Sequence, residues 1–199
     1  MSGRLGTREA DELIEQKLQR SMQLHDAMAQ TIGLDDGSLV IADLLGTDIA
    51  MASIGLSMEH GDSLLVLMAH GNPNTATAAL RMQFESLLRG AWAIYAASEQ
   101  EIEALERELT VEADAQARKV AVYGDMLKAL RKESCQAPRG LVDEVGRVDQ
   151  VLRHGMNSFV HGGFQPLKHH SEGFPMSLAL QVIETSNAIS TMAAALFAV

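Results

Sequence analysis

The chain has few of the residues that cross-link a fold or interrupt its backbone. It contains a single cysteine, Cys135, so an intramolecular disulfide is excluded and a reducing compartment, the cytoplasm, is the simplest expectation. Four prolines occur in 199 residues, and Ala, Leu and Met dominate over Val, Ile and Thr. Because these abundant residues are good helix formers, the composition favours helices over strands.

Positive charge is also scarce, and neither of the two most apolar segments suits a membrane span. The net charge of −10 argues against broad affinity for nucleic acid, which depends on Lys and Arg, but leaves room for a small basic pocket. The apolar stretch 39–58 contains Asp43 and Asp48, and the run 188–199 is too short to span a bilayer. Residues 1–16 lack the apolar core of a signal peptide. We therefore expect a cytoplasmic protein with no membrane partner.

Hydrophobic periodicity predicts an all-α fold, a single antiparallel bundle of five to seven helices. One domain, residues 9–199, follows a flexible tail, residues 1–8. The segment 38–70 is apolar on nearly every side, so it is expected to be the central helix. The other predicted segments are helices at 9–32, 74–98, 115–132, 141–160 and 176–197, a solvated acidic helix or loop at 99–114, a linker at 134–140 and a loop at 162–175.

A polar stripe on the predicted helix 141–160 is the first candidate site. At about 100° per residue, His154, Asn157 and His161 fall within about 60° of each other. The opposite face is apolar and consists of Val145, Val148, Leu152, Met156 and Phe159. The pattern fits a pocket of imidazoles and an amide. A structural role fits it too, with His161 bonding the last carbonyls of the helix and Asn157 bonding a neighbouring helix.

Three charges on the predicted helix 74–98 form the second candidate feature. Arg81, Glu85 and Arg89 follow one another at four-residue intervals along the border of an apolar stripe. Charges in that position are expected to be partly buried and therefore paired. The pair Arg81–Glu85 is compatible with a structural role, in which it fixes the register of the helix.

Two short motifs resemble those of HEPN domains, small all-helical bundles often found in bacterial toxins and defence systems. The stretch Met156 to His161 resembles the end of the HEPN motif helix, in which an Arg is followed by a polar residue and then by a His. Asn157 and His161 match that pattern, and Met156 stands at the Arg position. A looser similarity over residues 38–197 to uncharacterised bacterial helical proteins involves Arg81, Glu85, Trp92 and the ending Asn157 to Gly163.

The resemblance implies a metal-independent ribonuclease of a defence or toxin–antitoxin system, acting as a homodimer without a cofactor. The RNA 2′-hydroxyl is the nucleophile in such chemistry, so a histidine moves protons and an arginine stabilises charge on phosphorus. His161 would be the acid/base and Asn157 its orienter, with Arg81 or Arg153 supplying the charge in place of Met156. The candidate catalytic residues are His161, Asn157, His154, Arg81, Glu85 and Arg153.

Two alternatives remain open, and whether the protein is an enzyme is undecided. The first is a non-catalytic, antitoxin-like module that binds a protein or RNA partner, which Met156 and the acidic charge favour. The second is a metal-binding bundle, with His60, Glu59 and His161 as candidate ligands. Its support is weak, because the chain has no Glu-x-x-His pair and no His-Glu-x-x-His motif.

Overall fold

A computed structural model describes residues 8–33, 46–153 and 155–197. In these ranges it contains ten helices and no strand, so the all-α prediction is confirmed, with more helices than expected. The start of the predicted segment 38–70 and residues 1–7 of the predicted tail lie outside the described residues. The helices are α1 (Arg8–Thr31), α2 (Thr47–Ala69), α3 (Pro73–Tyr95), α4 (Glu99–Glu106), α5 (Val111–Ala117), α6 (Tyr123–Leu130), α7 (Arg139–Arg153), α8 (Met156–Val160), α9 (Phe164–Glu172) and α10 (Met176–Phe197).

Helix α3, rather than the hydrophobic segment that contains α2, is the centre of the fold. It packs against α2, α6, α7, α8, α9 and α10. Its predicted apolar stripe is confirmed, since Leu80, Phe84 and Leu87 are fully buried. Helix α2 buries one face and exposes Leu56 and Val66 on the other. The prediction of a central 38–70 segment was wrong because high hydrophobicity does not require burial on all sides.

Close approach between α2 and α3 depends on glycine. The two helices are antiparallel and joined by a tight turn in which Gly71 has a φ of 72°. A Cβ on Gly90 would lie 2.6 Å from Ile54 Cγ1 and 3.3 Å from the Ala50 carbonyl oxygen. Because carbon atoms in contact lie about 3.5–4.0 Å apart, glycine is what permits this crossing. Farther along the pair, the Ser57 hydroxyl donates to the Gln83 carbonyl oxygen at 2.8 Å.

Helix α10 lies in the core, and α1 packs on α10 and α2. The predicted helix 176–197 is confirmed, and Val182, Ile183 and Ile189 are fully buried in it. Near the end of this helix, Ala193 and Leu196 are also buried within the chain. In α1 the buried apolar side chains are Ile14 and Leu18.

Polar contacts join α1 to α2 and α10. His25, 5% exposed, donates from Nδ1 to Asp62 Oδ1 at 2.6 Å, and Asn187 Nδ2 donates to Ser21 Oγ at 2.8 Å. Beneath α1, Gln83 Nε2 donates to the Ser186 carbonyl oxygen and to Ser190 Oγ. Four buried polar atoms in this region have no hydrogen-bond partner among the described residues: His25 Nε2, Gln83 Oε1, Ser186 Oγ and Asn187 Oδ1.

Three segment predictions were wrong in the second half of the chain. The predicted helix 115–132 is two helices, α5 and α6, separated by residues 118–122, the last of which, Val122, is extended. The predicted helix 141–160 ends at Arg153, and α8 follows a turn at Gly155, a residue with low helix propensity. The predicted loop 162–175 contains α9. Its proline, Pro166, is compatible with a helix because it lies in the first turn, where a missing N–H breaks no helical bond.

In the part of the chain that the structure describes, no helix has both the length and the hydrophobicity needed to cross a bilayer.

Candidate functional site

Arg81 and Glu85 form the ion pair that their spacing predicts. Arg81 Nε donates to Glu85 Oε1 at 2.5 Å, and the Arg81 side chain is 15% exposed. The Arg81 guanidinium also lies 4.0 Å from the centre of the Tyr123 ring, at the start of α6. A cation above an aromatic face is attracted by the negative charge of that face, so this contact joins α3 to α6.

Tyr123 continues the network into α7 through Asp149. The Tyr123 hydroxyl donates to Asp149 Oδ1 at 2.5 Å, and Asp149 Oδ2 accepts from Arg153 at 2.7 Å and from Arg131 at 3.4 Å. We call Arg81, Glu85, Tyr123, Arg131, Asp149 and Arg153 the arginine cluster. It joins three helices and the C-cap residue of α6 around one carboxylate that is 2% exposed.

The electrostatics of the cluster keep Asp149 ionised and Tyr123 neutral. Burial raises the pKa of Asp149, but hydrogen bonds from Tyr123 and Arg153 and the nearby arginine charges outweigh it, so the net pKa is lowered. Burial, followed by the bond to Asp149 and its charge, raises the pKa of Tyr123. The phenol is therefore a stable neutral donor to a stable anion.

A groove of about 530 Å³ lies beside the cluster, between α2, α3 and α6. We call it the α3 groove. Its polar lining consists of Ser53, His60, Glu85, Ser86, Arg89 and Tyr123. Glu85 and Tyr123 belong both to this lining and to the arginine cluster, so the groove and the cluster are continuous.

Arg89 is the unusual charge of the groove. It is half-buried, and this burial lowers its pKa, while the charge of Glu85 acts in the opposite direction. No hydrogen bond or ion pair within 4 Å is made by its guanidinium to any described residue. The cluster and Arg89 together hold four arginines and two carboxylates, a local net charge of +2 in a chain of −10.

The predicted polar stripe is not a continuous surface, because the helix that carried it is broken at Gly155. His154 and the side chain of Met156 lie outside the described residues. Asn157 and His161 are exposed, and neither side chain makes a hydrogen bond or ion pair within the described part of the chain. Of the six candidate catalytic residues, the structure brings together Arg81, Glu85 and Arg153.

The double glycine after His161 has a structural explanation. Gly162 adopts a φ of 62°, which favours glycine, at the turn between α8 and α9. A Cβ on Gly163 would lie 2.5 Å from Ser158 Oγ, which accepts a hydrogen bond from the Gln165 N–H at 3.1 Å. In α9, the His169 ring packs against Phe159 and Phe174. These features build a tight turn and its packing.

The geometry does not support the alternative that the protein is a metal-binding bundle. Among the described residues, no three His, Cys, Asp or Glu side chains gather as they would around an ion. His60 lines the α3 groove, Glu59 is an exposed residue that lines a different groove, between α1 and α2, and His161 lies at the end of α8.

Sequence reasoning missed Tyr123, Arg131 and Asp149. A signal for Asp149 was present: it lies within the apolar stripe of α7, between Val148 and Leu152, four residues before Arg153. An acid inside an apolar stripe with a cation one turn away indicates a buried ion pair. No local pattern identifies Tyr123 as its second partner.

The family of the chain follows from comparison with known proteins. Residues 54–199 match the model of DUF6988, a family of unknown function. The chain belongs to this family. The matched range contains every residue of the arginine cluster and all polar lining residues of the α3 groove except Ser53, whereas α1 lies outside it. No curated protein and no solved structure matches the chain.

Proposed function

We propose that this DUF6988 protein is an HEPN-like helical module that binds single-stranded RNA without cleaving it, with one nucleotide held in the α3 groove. The observation that carries the proposal is Arg89, a half-buried cation with no hydrogen-bonded anion among the described residues. A desolvated guanidinium is stabilised when a phosphate accepts two of its N–H groups in the planar geometry that arginine presents.

The other side chains that line the α3 groove suit the base and the sugar of a nucleotide. Leu56, Met82 and Val122 expose 44%, 46% and 57% of their surface and line the groove together with Met126. These side chains offer an apolar surface for a base. The hydroxyls of Ser53 and Ser86 lie in the same groove and supply polar contacts for a sugar. Small-ligand sites commonly combine apolar walls with a few polar groups in this way.

The choice of RNA rests on the resemblance to HEPN motifs, and the choice of binding over catalysis rests on geometry. The exposed side chains of His161 and Asn157 make no hydrogen bond or ion pair to the arginine cluster among the described residues. Binding is therefore preferred to catalysis, because no contact among the described residues joins this histidine to the cations of the cluster. A role in defence or in a toxin–antitoxin system, and a homodimer in solution, belong to this proposal as expectations.

A metal-independent ribonuclease is the second candidate. One observation favours it: His60 lines the same groove as Arg89, so an imidazole and a guanidinium border one ligand space. This arrangement would place proton transfer on α2 rather than on His161.

Binding to a short labelled single-stranded RNA, measured by fluorescence anisotropy, tests the proposal. We expect Arg89→Gln to weaken binding about tenfold, the effect of losing roughly 1.4 kcal/mol of phosphate contact. Arg107→Gln is the matched control, because Arg107 is an exposed arginine outside the α3 groove. Its affinity should equal that of the wild type. Absence of binding, or equal losses in both variants, would refute the proposal.

Incubation with a mixed RNA pool separates the two candidates. The wild type is compared, with and without a chelator, with His60→Ala and His161→Ala. Intact RNA in every lane supports a binding module. Chelator-resistant cleavage that is lost in one histidine variant establishes the ribonuclease and identifies its acid/base.

A further inference from the structure

The two surface arginines of the cluster have hydrogen-bonding capacity that the described residues do not use. Arg131 is the C-cap residue of α6, and Arg153 is the last residue of α7. Both direct one terminal nitrogen to Asp149 Oδ2. Their side chains remain 45% and 60% exposed. Since a guanidinium carries five N–H donors, most donors of each residue are available at the surface.

Asp149 holds these arginines in place without neutralising both. The carboxylate is 2% exposed, and its other oxygen accepts the hydrogen bond from Tyr123. One negative charge between two positive charges leaves a local charge of +1. Because the anchoring carboxylate is buried and fixed, the arginines would lose less side-chain freedom on binding an anion than two unanchored surface arginines would.

Tyr123 connects this pair to the α3 groove. Its ring lines the groove, and its hydroxyl reaches Asp149. Arg89, which lines the groove with Tyr123, and the Arg131–Arg153 pair, which Tyr123 reaches through Asp149, are therefore two cationic positions connected by one tyrosine. A ligand with a single phosphate can occupy one of these positions, whereas a chain of phosphates can occupy both.

We infer that Arg131 and Arg153 form a second phosphate subsite, so that the ligand of the α3 groove is a strand with successive phosphates rather than a mononucleotide. The inference rests on the proposed function and assigns its ligand class. Positively charged grooves that follow the backbone are the usual means of binding single strands. An acidic peptide could also contact the arginines, but it has no base to place against Leu56 and Val122.

The salt dependence of RNA affinity measures how many phosphate contacts are made. For single strands, each neutralised phosphate contributes about −0.7 to the slope of log K against log salt. One phosphate at Arg89 and one at the Arg131–Arg153 pair predict a slope of about −1.4 for the wild type. The titration starts at about 0.15 M salt, where the Debye length of about 8 Å screens the acidic remainder of the chain.

The variants distinguish this inference from the proposed function. We expect Arg131→Gln and Arg153→Gln each to remove the net charge of the pair and so to reduce the slope by about 0.7, and to weaken binding of RNA more than binding of a uridine monophosphate probe. Arg107→Gln should keep the full slope.

RNA binding with an unchanged slope in both variants would overturn the second subsite and leave the proposed function standing. Equal affinity for a polyglutamate peptide and for RNA would overturn the ligand class. Failure of both RNA and mononucleotide to bind would refute the proposed function itself. Circular dichroism of each variant checks that the fold is retained.

Discussion

Replacing Asp149 by Ala tests the reasoning on which the arginine cluster rests. The substitution removes the acceptor of three hydrogen bonds: those from Tyr123 and Arg131 join α6 to α7, and the one from Arg153 lies within α7. Tyr123 is the donor that matters most, because it is half-buried and its hydroxyl has no other acceptor among the described residues. The two arginines are largely exposed, so water solvates them when the carboxylate is absent.

The expected loss in the free energy of unfolding follows from how exposed these three side chains are. A hydrogen bond to a charged group contributes about 1.5–3 kcal/mol, and leaving its buried donor unsatisfied has a comparable cost. An exposed ion pair contributes about 0.2–1 kcal/mol. We therefore expect Asp149→Ala to lower the free energy of unfolding by about 2–4 kcal/mol. Most of this loss should reappear in Tyr123→Phe, because both variants remove the same bond.

Urea denaturation followed by circular dichroism gives the measurement, with Asp143→Ala as the matched control. Asp143 lies on the same helix, is exposed and makes no hydrogen bond or ion pair with a described residue. The gain in helix propensity from Asp to Ala is then common to both variants. A loss below about 1 kcal/mol, or one equal to that of Asp143→Ala, would show that the cluster is not the structural joint described here.

The pH dependence supplies an independent check. The pKa of Asp149 is lowered in the folded state, so its ionised form stabilises the fold fully above the unfolded pKa of about 3.9. This contribution is lost as the pH falls through the folded pKa. The stability difference between wild type and Asp149→Ala should be constant from neutral pH to about pH 5 and decrease below about pH 4. A difference that grows on acidification would contradict the assignment.

Two further predictions concern packing. Gly90→Ala should lower the free energy of unfolding by about 1–3 kcal/mol because the new Cβ overlaps Ile54, whereas Gly124→Ala, with no heavy atom within 4 Å, should be neutral or slightly stabilising. Similar thermal unfolding of the two variants would contradict the close α2–α3 crossing. In hydrogen exchange, α1 should open as a unit before α3, because buried atoms such as His25 Nε2, which have no hydrogen-bond partner among the described residues, lie where α1 packs on α2 and α10. Equal protection of both helices would refute this.

Features encoded within one turn of helix could be predicted from the sequence. The apolar stripe of α3 follows from its period, and the pairing of Arg81 with Glu85 follows from their four-residue spacing. The bounds of α10 were correct because Pro175 precedes it and its apolar pattern is continuous. Each of these depends on neighbours along the chain and on no distant residue.

Features that depend on distant packing could not be predicted. The break at Gly155 has a weak local signal, since a glycine is tolerated within a helix at a cost of about 1 kcal/mol. The bond from Tyr123 to Asp149 joins residues 26 positions apart on two helices whose packing no local pattern specifies. Three of the six predicted site residues, Arg81, Glu85 and Arg153, therefore lie in the arginine cluster, on α3 and α7. Asn157 and His161 were predicted on a continuous helix 141–160, which is broken at Gly155.

The acidic composition of the chain argues against broad affinity for nucleic acid, but it does not exclude a local cationic site. Net charge sums the whole surface, but at physiological salt a bound phosphate interacts mainly with charges within about 8 Å. Around Tyr123 the balance is reversed, with four arginines against Glu85 and Asp149. Both carboxylates are already engaged by arginines of the cluster, which leaves Arg89 and the outer donors of Arg131 and Arg153 to define the local field. The RNA site that we propose would admit its ligand through the α3 groove, whereas the acidic remainder of the chain disfavours indiscriminate binding of nucleic acid elsewhere.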